Sequence, residues 1–111
     1  MDQRPWGTYE VLLDDEKTKV KKITVEPGKR LSYQTHEKRS EYWVIVEGTG
    51  SVTLDGMTSL AIGGDAFIIE QGIAHRIHNT GTEPLTFIET QLGIYFGEDD
   101  IIRLEDDFGR S

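Results

Sequence analysis

The sequence of 111 residues has no cysteine and no long apolar run. Without cysteine the chain forms neither a disulfide nor a thiolate metal site, which is compatible with a reducing compartment. No segment approaches the roughly 18 apolar residues that span a bilayer, and the N-terminal MDQRPWG lacks the apolar stretch of a signal peptide. We therefore expect a cytoplasmic protein that has no membrane partner.

Positive charge is also scarce, since 12 Lys and Arg residues stand against 20 Asp and Glu residues for a net charge of -8. Nucleic acids and anionic membranes bind basic surfaces, so neither is an expected partner. An anionic small molecule would need a local cluster of basic side chains. Arg30, Lys38, Arg39 and Arg76 lie close in sequence to the candidate ligands named below, although a solvated charge at a strand edge is the favoured interpretation of any one of them.

Turn signals recur every eight to twelve residues between positions 27 and 84, which predicts one domain with an all-β sandwich or barrel. Asp55-Gly56 is the strongest hairpin signal, because a type I′ turn requires positive φ at both central residues. A further strand is expected to begin at His75. The other expected strands are Lys19–Val25, Leu31–His36, Glu41–Val46, Ser51–Leu54, Met57–Ile62, Ala66–Ile69 and Leu85–Leu92.

The two ends of the chain lack a sustained hydrophobic period. Residues 1–18 are predicted to form an arm whose aromatic residues Trp6 and Tyr9 pack onto the barrel or onto a neighbouring subunit. Residues 98–111 are predicted to form an acidic tail, in which Ile101, Ile102 and Leu104 share the apolar face of a short helical turn.

Four side chains that can bind a metal come from three predicted strands. Gln34 and His36 are two residues apart, so they share one face of a strand. Glu41 begins the next strand, in which Trp43 and Ile45 alternate onto the same face as Glu41. His75 begins a later strand. Two imidazoles, a carboxylate and an amide oxygen suit Zn, Mn, Fe, Co or Ni better than Cu(I). His78 is out of phase with His75 and is expected at the surface.

The spacing of these residues resembles the two motifs of the cupin family. Glu70 departs from the pattern, because it stands where the second motif has Pro. The resemblance implies a single jelly-roll barrel, a double-stranded β-helix, over residues 1–111. The matching positions are Gly28, Gln34, His36, Glu41 and Gly48 in the first motif, and Gly64, Gly72, His75 and Asn79 in the second.

A closer resemblance, to the type II phosphomannose isomerase domain, covers most of the chain. Its members typically have Gln at position 34. This sequence departs from the usual pattern at Glu37, Lys38 and Tyr42, which stand at three His positions. The matching segments are RPWGTYEVL at 4–12, KVKKITVEPGKRLSYQTH at 19–36, EYWVIVEGTGSVTLDG at 41–56 and GIYFGEDDIIRLEDDFGR at 93–110.

This resemblance implies a metal-dependent isomerase that interconverts mannose 6-phosphate and fructose 6-phosphate. The implied ligands of one divalent ion, with Zn first among the candidates, are Gln34, His36, Glu41 and His75. Arg39 is the implied phosphate ligand and a catalytic candidate, and Arg76 and Arg103 are further phosphate candidates. The residues do not identify the proton carrier, for which Glu70, Glu89, Lys22 and a hydroxide on the ion remain open.

Cupin barrels are commonly dimers, so we expect a homodimer. The Gly-rich phosphate loop of a guanylyltransferase is absent, and nucleotide transfer is not expected. Two other functions remain open. The chain would be a non-catalytic metal- or sugar-binding module if the missing His residues were the proton carriers. An Fe(II) oxygenase-type cupin is the third possibility, and Gln34 counts against it.

Overall fold

The computed structural model describes residues 1–109, in which β-strands dominate. No helix in this part of the chain is long and apolar enough to cross a bilayer. A 3-10 helix spans Glu98–Asp100. The strands are β1 Asp2–Arg4, β2 Gly7–Asp14, β3 Thr18–Val25, β4 Tyr33–His36, β5 Arg39–Glu47, β6 Thr49–Leu54, β7 Met57–Ile62, β8 Ala66–Ile69, β9 His75–Asn79, β10 Leu85–Gly93 and β11 Ile101–Glu105.

The strands form two antiparallel sheets that enclose one core. The first sheet has the order β1-β2-β3-β10-β5-β8, and the second has the order β11-β4-β9-β6-β7. The core contains Trp43, Ile45 and Phe87 from the first sheet and Val52 and Ile77 from the second. The prediction of an all-β fold is therefore confirmed.

Strand β5 shows how the sequence pattern places a polar residue inside the barrel. Glu41, Trp43 and Ile45 are buried, whereas Tyr42 and Val44 between them are exposed. This alternation is the period of two that a β-strand imposes on its side chains. Glu41 therefore points into the barrel together with the apolar core, as the sequence predicted.

The predicted central strands correspond closely to the observed ones. Strands β7 and β8 have the predicted bounds, and the remaining predicted strands differ by a few residues at their ends. Asp55 has φ 50° and Gly56 has φ 83° in the turn between β6 and β7. Both values are positive, as the type I′ turn predicted for this pair requires.

The predictions for the two ends are confirmed in part. Trp6 and Tyr9 pack onto the barrel, as expected, with Trp6 in the core. Residues 1–18 are not a separate arm, because β1 and β2 extend the first sheet, with Gly7 opposite Val25 of β3. The tail forms strand β11 beside β4 rather than a helical turn over Ile101–Leu104. Pairing with a neighbouring strand satisfies the backbone groups in both places, whatever the local period. Arg110 and Ser111 of the predicted tail lie outside the described residues.

Candidate metal centre

The inner face of the barrel carries an open cavity of about 640 Å³. His36 of β4, Glu41 of β5 and His75 of β9 line it, and each is at least 97% buried. Ligand atoms from these three side chains all lie within 4.8 Å of one another. Three strands from both sheets thus bring together three of the four predicted metal ligands.

The separations within this triad fit binding to one ion. Nδ1 of His36 lies 3.3 Å from Oε2 of Glu41, and Nε2 of His75 lies 3.7 Å from Oε1 of Glu41. Two ligand atoms of a tetrahedral ion with bonds of about 2.1 Å are roughly 3.4 Å apart. The donor set and its spacing are therefore consistent with a divalent metal.

The protonation of the two imidazoles also favours metal binding. Burial lowers the pKa of His36 to about 2, with the charge of Arg39 as the next cause, and burial lowers the pKa of His75. Nδ1 of His75 lies 2.9 Å from the carbonyl oxygen of Ile73. If this nitrogen donates its proton to the carbonyl, Nε2 keeps a lone pair on the side of Glu41.

Gln34 lies beside the triad. It is the cross-strand partner of His75 in the pairing of β4 with β9, and it lines the cavity. Its amide nitrogen donates to Oγ of Ser32 over 3.1 Å. The amide oxygen is the atom of this side chain that suits a metal ion.

Arg39 is buried beside the prospective ligands. Its Nε donates to Oε2 of Glu41 over 2.9 Å, and its Nη2 lies 2.8 Å from Nε2 of His36. Its Nη1 donates to the carbonyl oxygen of Phe96. The guanidinium group that the resemblance assigned to a phosphate is thus engaged with the groups that would hold the metal.

Trp43, which the sequence placed on the face of Glu41, is a second hydrogen-bond donor to that carboxylate, a role that the sequence did not predict. Its Nε1 donates to Oε1 of Glu41 over 3.0 Å, so both carboxylate oxygens accept a hydrogen bond from β5 itself. Arg39, Glu41 and Trp43 recur at every second position, which places them on one face. The same alternation that located Glu41 was therefore a signal for both of its partners.

Glu89 is the one of the three proposed proton-carrying side chains that lines the cavity. It lies on the inner face of β10, where burial, followed by the charge of Glu41, raises its pKa to about 7. It accepts a hydrogen bond from Nε2 of Gln91. Glu70 is exposed after the end of β8, and Lys22 is exposed on the outer face of β3. The structure does not bring those two residues to the site.

The other predicted side chains have different positions. Arg76 lines the cavity, but its guanidinium donates to the carbonyl oxygen of Leu31 and to Glu105. Arg103 lines the cavity opposite Gln34. His78 was expected at the surface; it is half-buried, and it is not among the cavity-lining residues.

Two further basic residues line the cavity without having been predicted. Lys21 shares the inner face of β3 with Ile23, so strict alternation along this strand was a signal for it. Arg4 belongs to β1, a strand that the sequence did not predict. No local pattern pointed to Arg4.

The residues that depart from the phosphomannose isomerase pattern lie away from the cavity. Glu37 and Lys38 are exposed in the turn between β4 and β5, and Tyr42 is exposed on the outer face of β5. The backbone amides of Glu37 and Lys38 bond Asp100. None of the three substitutions therefore changes the lining of the cavity.

Comparison with known sequences places this site in a family. The family model described as mannose-6-phosphate isomerase C-terminal matches residues 2–106. The chain belongs to this family. It is 47% identical over 108 residues to the alginate biosynthesis protein AlgA of Pseudomonas aeruginosa, covering 97% of this chain and 22% of that protein.

Other members of the family are similarly related. The chain is 44% identical to the xanthan biosynthesis protein XanB of Xanthomonas campestris. The alignment covers 97% of this chain and 23% of XanB. The chain is also 44% identical to the mannose-1-phosphate guanylyltransferase ManC of Salmonella typhimurium, with 96% of this chain and 22% of that protein covered. The chain thus spans about a quarter of the length of these curated relatives.

Solved structures show the same cupin fold. A conserved protein of Klebsiella pneumoniae with a double-stranded β-helix domain superposes with a TM-score of 0.81 at 20% identity, covering 96% of this chain and 90% of that one. A putative sugar phosphate isomerase of Acidithiobacillus ferrooxidans gives a TM-score of 0.64 at 27% identity, covering 68% and 50%. The predicted jelly-roll barrel is therefore confirmed.

Proposed function

We propose that this protein is a metal-dependent isomerase that interconverts mannose 6-phosphate and fructose 6-phosphate. The observation that carries the proposal is one cavity that contains both the triad His36, Glu41 and His75 and the buried carboxyl group of Glu89. The interconversion of an aldose and a ketose needs an electrophile for the carbonyl oxygen and a group that transfers a proton. The cavity offers a candidate for each.

The residues have distinct roles in this proposal. His36, Glu41, His75 and the amide oxygen of Gln34 would hold a divalent ion, for which zinc is the first candidate. The ion would polarise the sugar carbonyl and stabilise the enediolate charge. Arg39 and Trp43 hold the carboxylate of Glu41 in place through hydrogen bonds to its two oxygens.

Glu89 is the proposed proton carrier. As a carboxylate it would remove the proton from C2 of the aldose, and as a carboxylic acid it would return that proton to C1. The hydroxyl proton moves from O2 to O1 of the enediolate in the same interconversion, so no net proton is exchanged. A pKa of about 7 allows both forms near neutral pH. The same group can therefore act in both directions of the reaction.

The relatives support the substrate class. The family is described as mannose-6-phosphate isomerase C-terminal, and the Acidithiobacillus protein that shares the fold is a putative sugar phosphate isomerase.

The test combines metal analysis with a coupled assay of fructose 6-phosphate formation. We expect purified wild type to carry about one divalent ion per chain. His36→Ala and His75→Ala should lose the metal and the turnover together. Glu89→Gln should keep the metal and lose turnover. His78→Ala is the matched control, because it removes the third histidine of the chain without touching the cavity.

Two results would overturn the proposal. Absence of turnover with saturating Zn, Mn, Co and Fe, together with thermal stabilisation by mannose 6-phosphate, would indicate a non-catalytic binding module. Oxygen consumption by the Fe(II)-loaded protein, run in parallel, would indicate an oxygenase instead.

A further inference from the structure

Basic side chains are concentrated at the cavity of this acidic protein. Five of them line it, although the net charge of the chain is -8. Arg39 binds Glu41 and Arg76 binds Glu105, so both are already engaged by carboxylates. Lys21 of β3 and Arg4 of β1 lie instead at the ring of Tyr9. The five are Arg4, Lys21, Arg39, Arg76 and Arg103.

Lys21 is a buried lysine that faces the cavity. It is 8% exposed in the middle of β3 and lines the cavity. Within residues 1–109, no hydrogen bond or salt bridge involves its ammonium group. Its charge acts on the carboxyl group of Glu89, its cross-strand neighbour, and opposes part of the rise in the pKa of that group, although Glu89 hydrogen-bonds Gln91. Nζ of Lys21 also lies 4.6 Å from the centroid of the Tyr9 ring. A buried ammonium group is costly unless an anion compensates it.

Arg4 places a second cation at the same ring. Its guanidinium carbon lies 4.8 Å from the centroid of Tyr9, and its Nη2 donates to the Tyr9 hydroxyl over 3.0 Å. Nη1 donates only to the neighbouring carbonyl oxygen of Gln3. No salt bridge involves Arg4 among the described residues. Tyr9 thus holds two cations together at one wall of the cavity. Asp2 and Glu98 are acidic neighbours of Tyr9, and of these two Glu98 lines the cavity.

We propose that Lys21 and Arg4, held by Tyr9, form the subsite that binds the phosphate group of the substrate. This deepens the proposed function and rests on it for the identity of the sugar. A phosphate dianion would compensate both charges, because an ammonium acts as a compact point charge and a guanidinium offers a planar fork of donors. Arg39 would then position the metal ligands, and Arg4 of β1 and Lys21 of β3 would recognise the phosphate.

The test is isothermal titration calorimetry in the presence of a chelator, so that no metal contributes to binding. The probes are mannose 6-phosphate, mannose and inorganic phosphate. Lys21→Met and Arg4→Met should each weaken binding of mannose 6-phosphate and of inorganic phosphate by about 10- to 100-fold, since each removes a charged partner. Binding of mannose should not change.

Lys22→Met is the matched control. It removes the same charge from the adjacent position of β3, but its side chain is exposed on the outer face. We expect its affinity for mannose 6-phosphate to stay within roughly two-fold of wild type, as an exposed charge contributes little. Lys21→Met should remain folded, because it removes a buried charge and keeps an unbranched side chain of similar length.

The outcomes separate this proposal from the isomerase proposal. Wild-type phosphate affinity in both Lys21→Met and Arg4→Met would overturn the subsite, even if the protein isomerises mannose 6-phosphate. Phosphate binding that depends on Lys21 in a protein without any turnover would support the subsite and overturn the isomerase. In an active protein the same variants should raise KM with little change in kcat.

Discussion

Glu89 links the candidate metal centre to the pH dependence of the stability of the fold. Burial and the nearby Glu41 raise the pKa of its carboxyl group to about 7, whereas the carboxyl group of an unfolded chain titrates near its ordinary value of 4.5. Below that value both states are protonated and the contribution of the group is fully present. As pH rises towards 7 the unfolded chain releases its proton first, so this contribution is progressively lost.

Replacing Glu89 should therefore flatten the pH dependence of stability. Between about pH 4.5 and 7 the free energy of unfolding of wild type should fall relative to Glu89→Gln, by on the order of 3 kcal/mol. Urea unfolding at several pH values, with chelator present, measures the difference. Glu70→Gln, at an exposed carboxyl group, is the control and should follow wild type. Parallel curves for wild type and Glu89→Gln would contradict the shift.

Among single residues, the sequence identified the candidate metal ligands better than it identified the function of Arg39. His36, Glu41 and His75 could be placed because strand alternation and motif spacing both point to them. The role assigned to Arg39 could not be tested in this way. Its contacts depend on where Glu41 of the same strand and His36 of another strand meet inside the barrel. Such distances between strands are not encoded in local spacing.

At the scale of elements, the β1–β2 hairpin is part of the barrel. Trp6, between the two strands, is 6% exposed and belongs to the core cluster together with Ile23 and Val25 of β3. The carbonyl oxygen of Trp6 also accepts a hydrogen bond from the amide of Glu26. The hairpin therefore contributes to the stability of the chain that contains it.

Trp6→Ala should destabilise the barrel by about 3–5 kcal/mol, because it empties a large buried volume. Chemical denaturation at fixed protein concentration measures this loss. Leu12→Ala on β2 is the control; its side chain is 51% exposed, and we expect a change within about 0.5 kcal/mol. Equal effects of the two variants would show that the hairpin is not anchored through Trp6.

The elements that the sequence predicted well are those with strong turn residues and clear alternation, such as β6 to β8. Strands β1, β2 and β11 were missed for a physical reason. β1 has only three residues, and β2 and β11 expose most of their side chains, so none of them shows a sustained hydrophobic alternation. Pairing with neighbouring strands outweighs the local pattern in all three.

For the whole molecule, strands β5, β8 and β10 carry an apolar patch on the outer face of the first sheet. Val44 lies between Ala66 of β8 and Ile88 of β10 in the strand register, and Tyr42 lies beside Ile68. Tyr42, Val44 and Ile68 are 40–60% exposed. In a chain with 29% charged residues, such a face is an unusual surface to leave in water.

We propose that a second copy of the chain covers this face, in the homodimer expected from the sequence. A two-fold axis would bring the same residues of both copies together. Sedimentation at tens of micromolar should give a dimer for wild type and a monomer for Val44→Lys. Leu60→Lys, which adds the same charge at an exposed apolar position of the second sheet, should remain dimeric. A monomeric wild type would remove the proposal.

The placement of the two tryptophans has a practical consequence. Trp6 and Trp43 are the chain's only tryptophans, both line the cavity, and Trp43 contacts Glu41 and packs edge-on against His75. Indole emission depends on the polarity and charge around the ring. Intrinsic fluorescence of the unlabelled protein should therefore report events at this cavity, and Trp6→Phe and Trp43→Phe would distinguish a signal from the β1 side from one at the metal ligands.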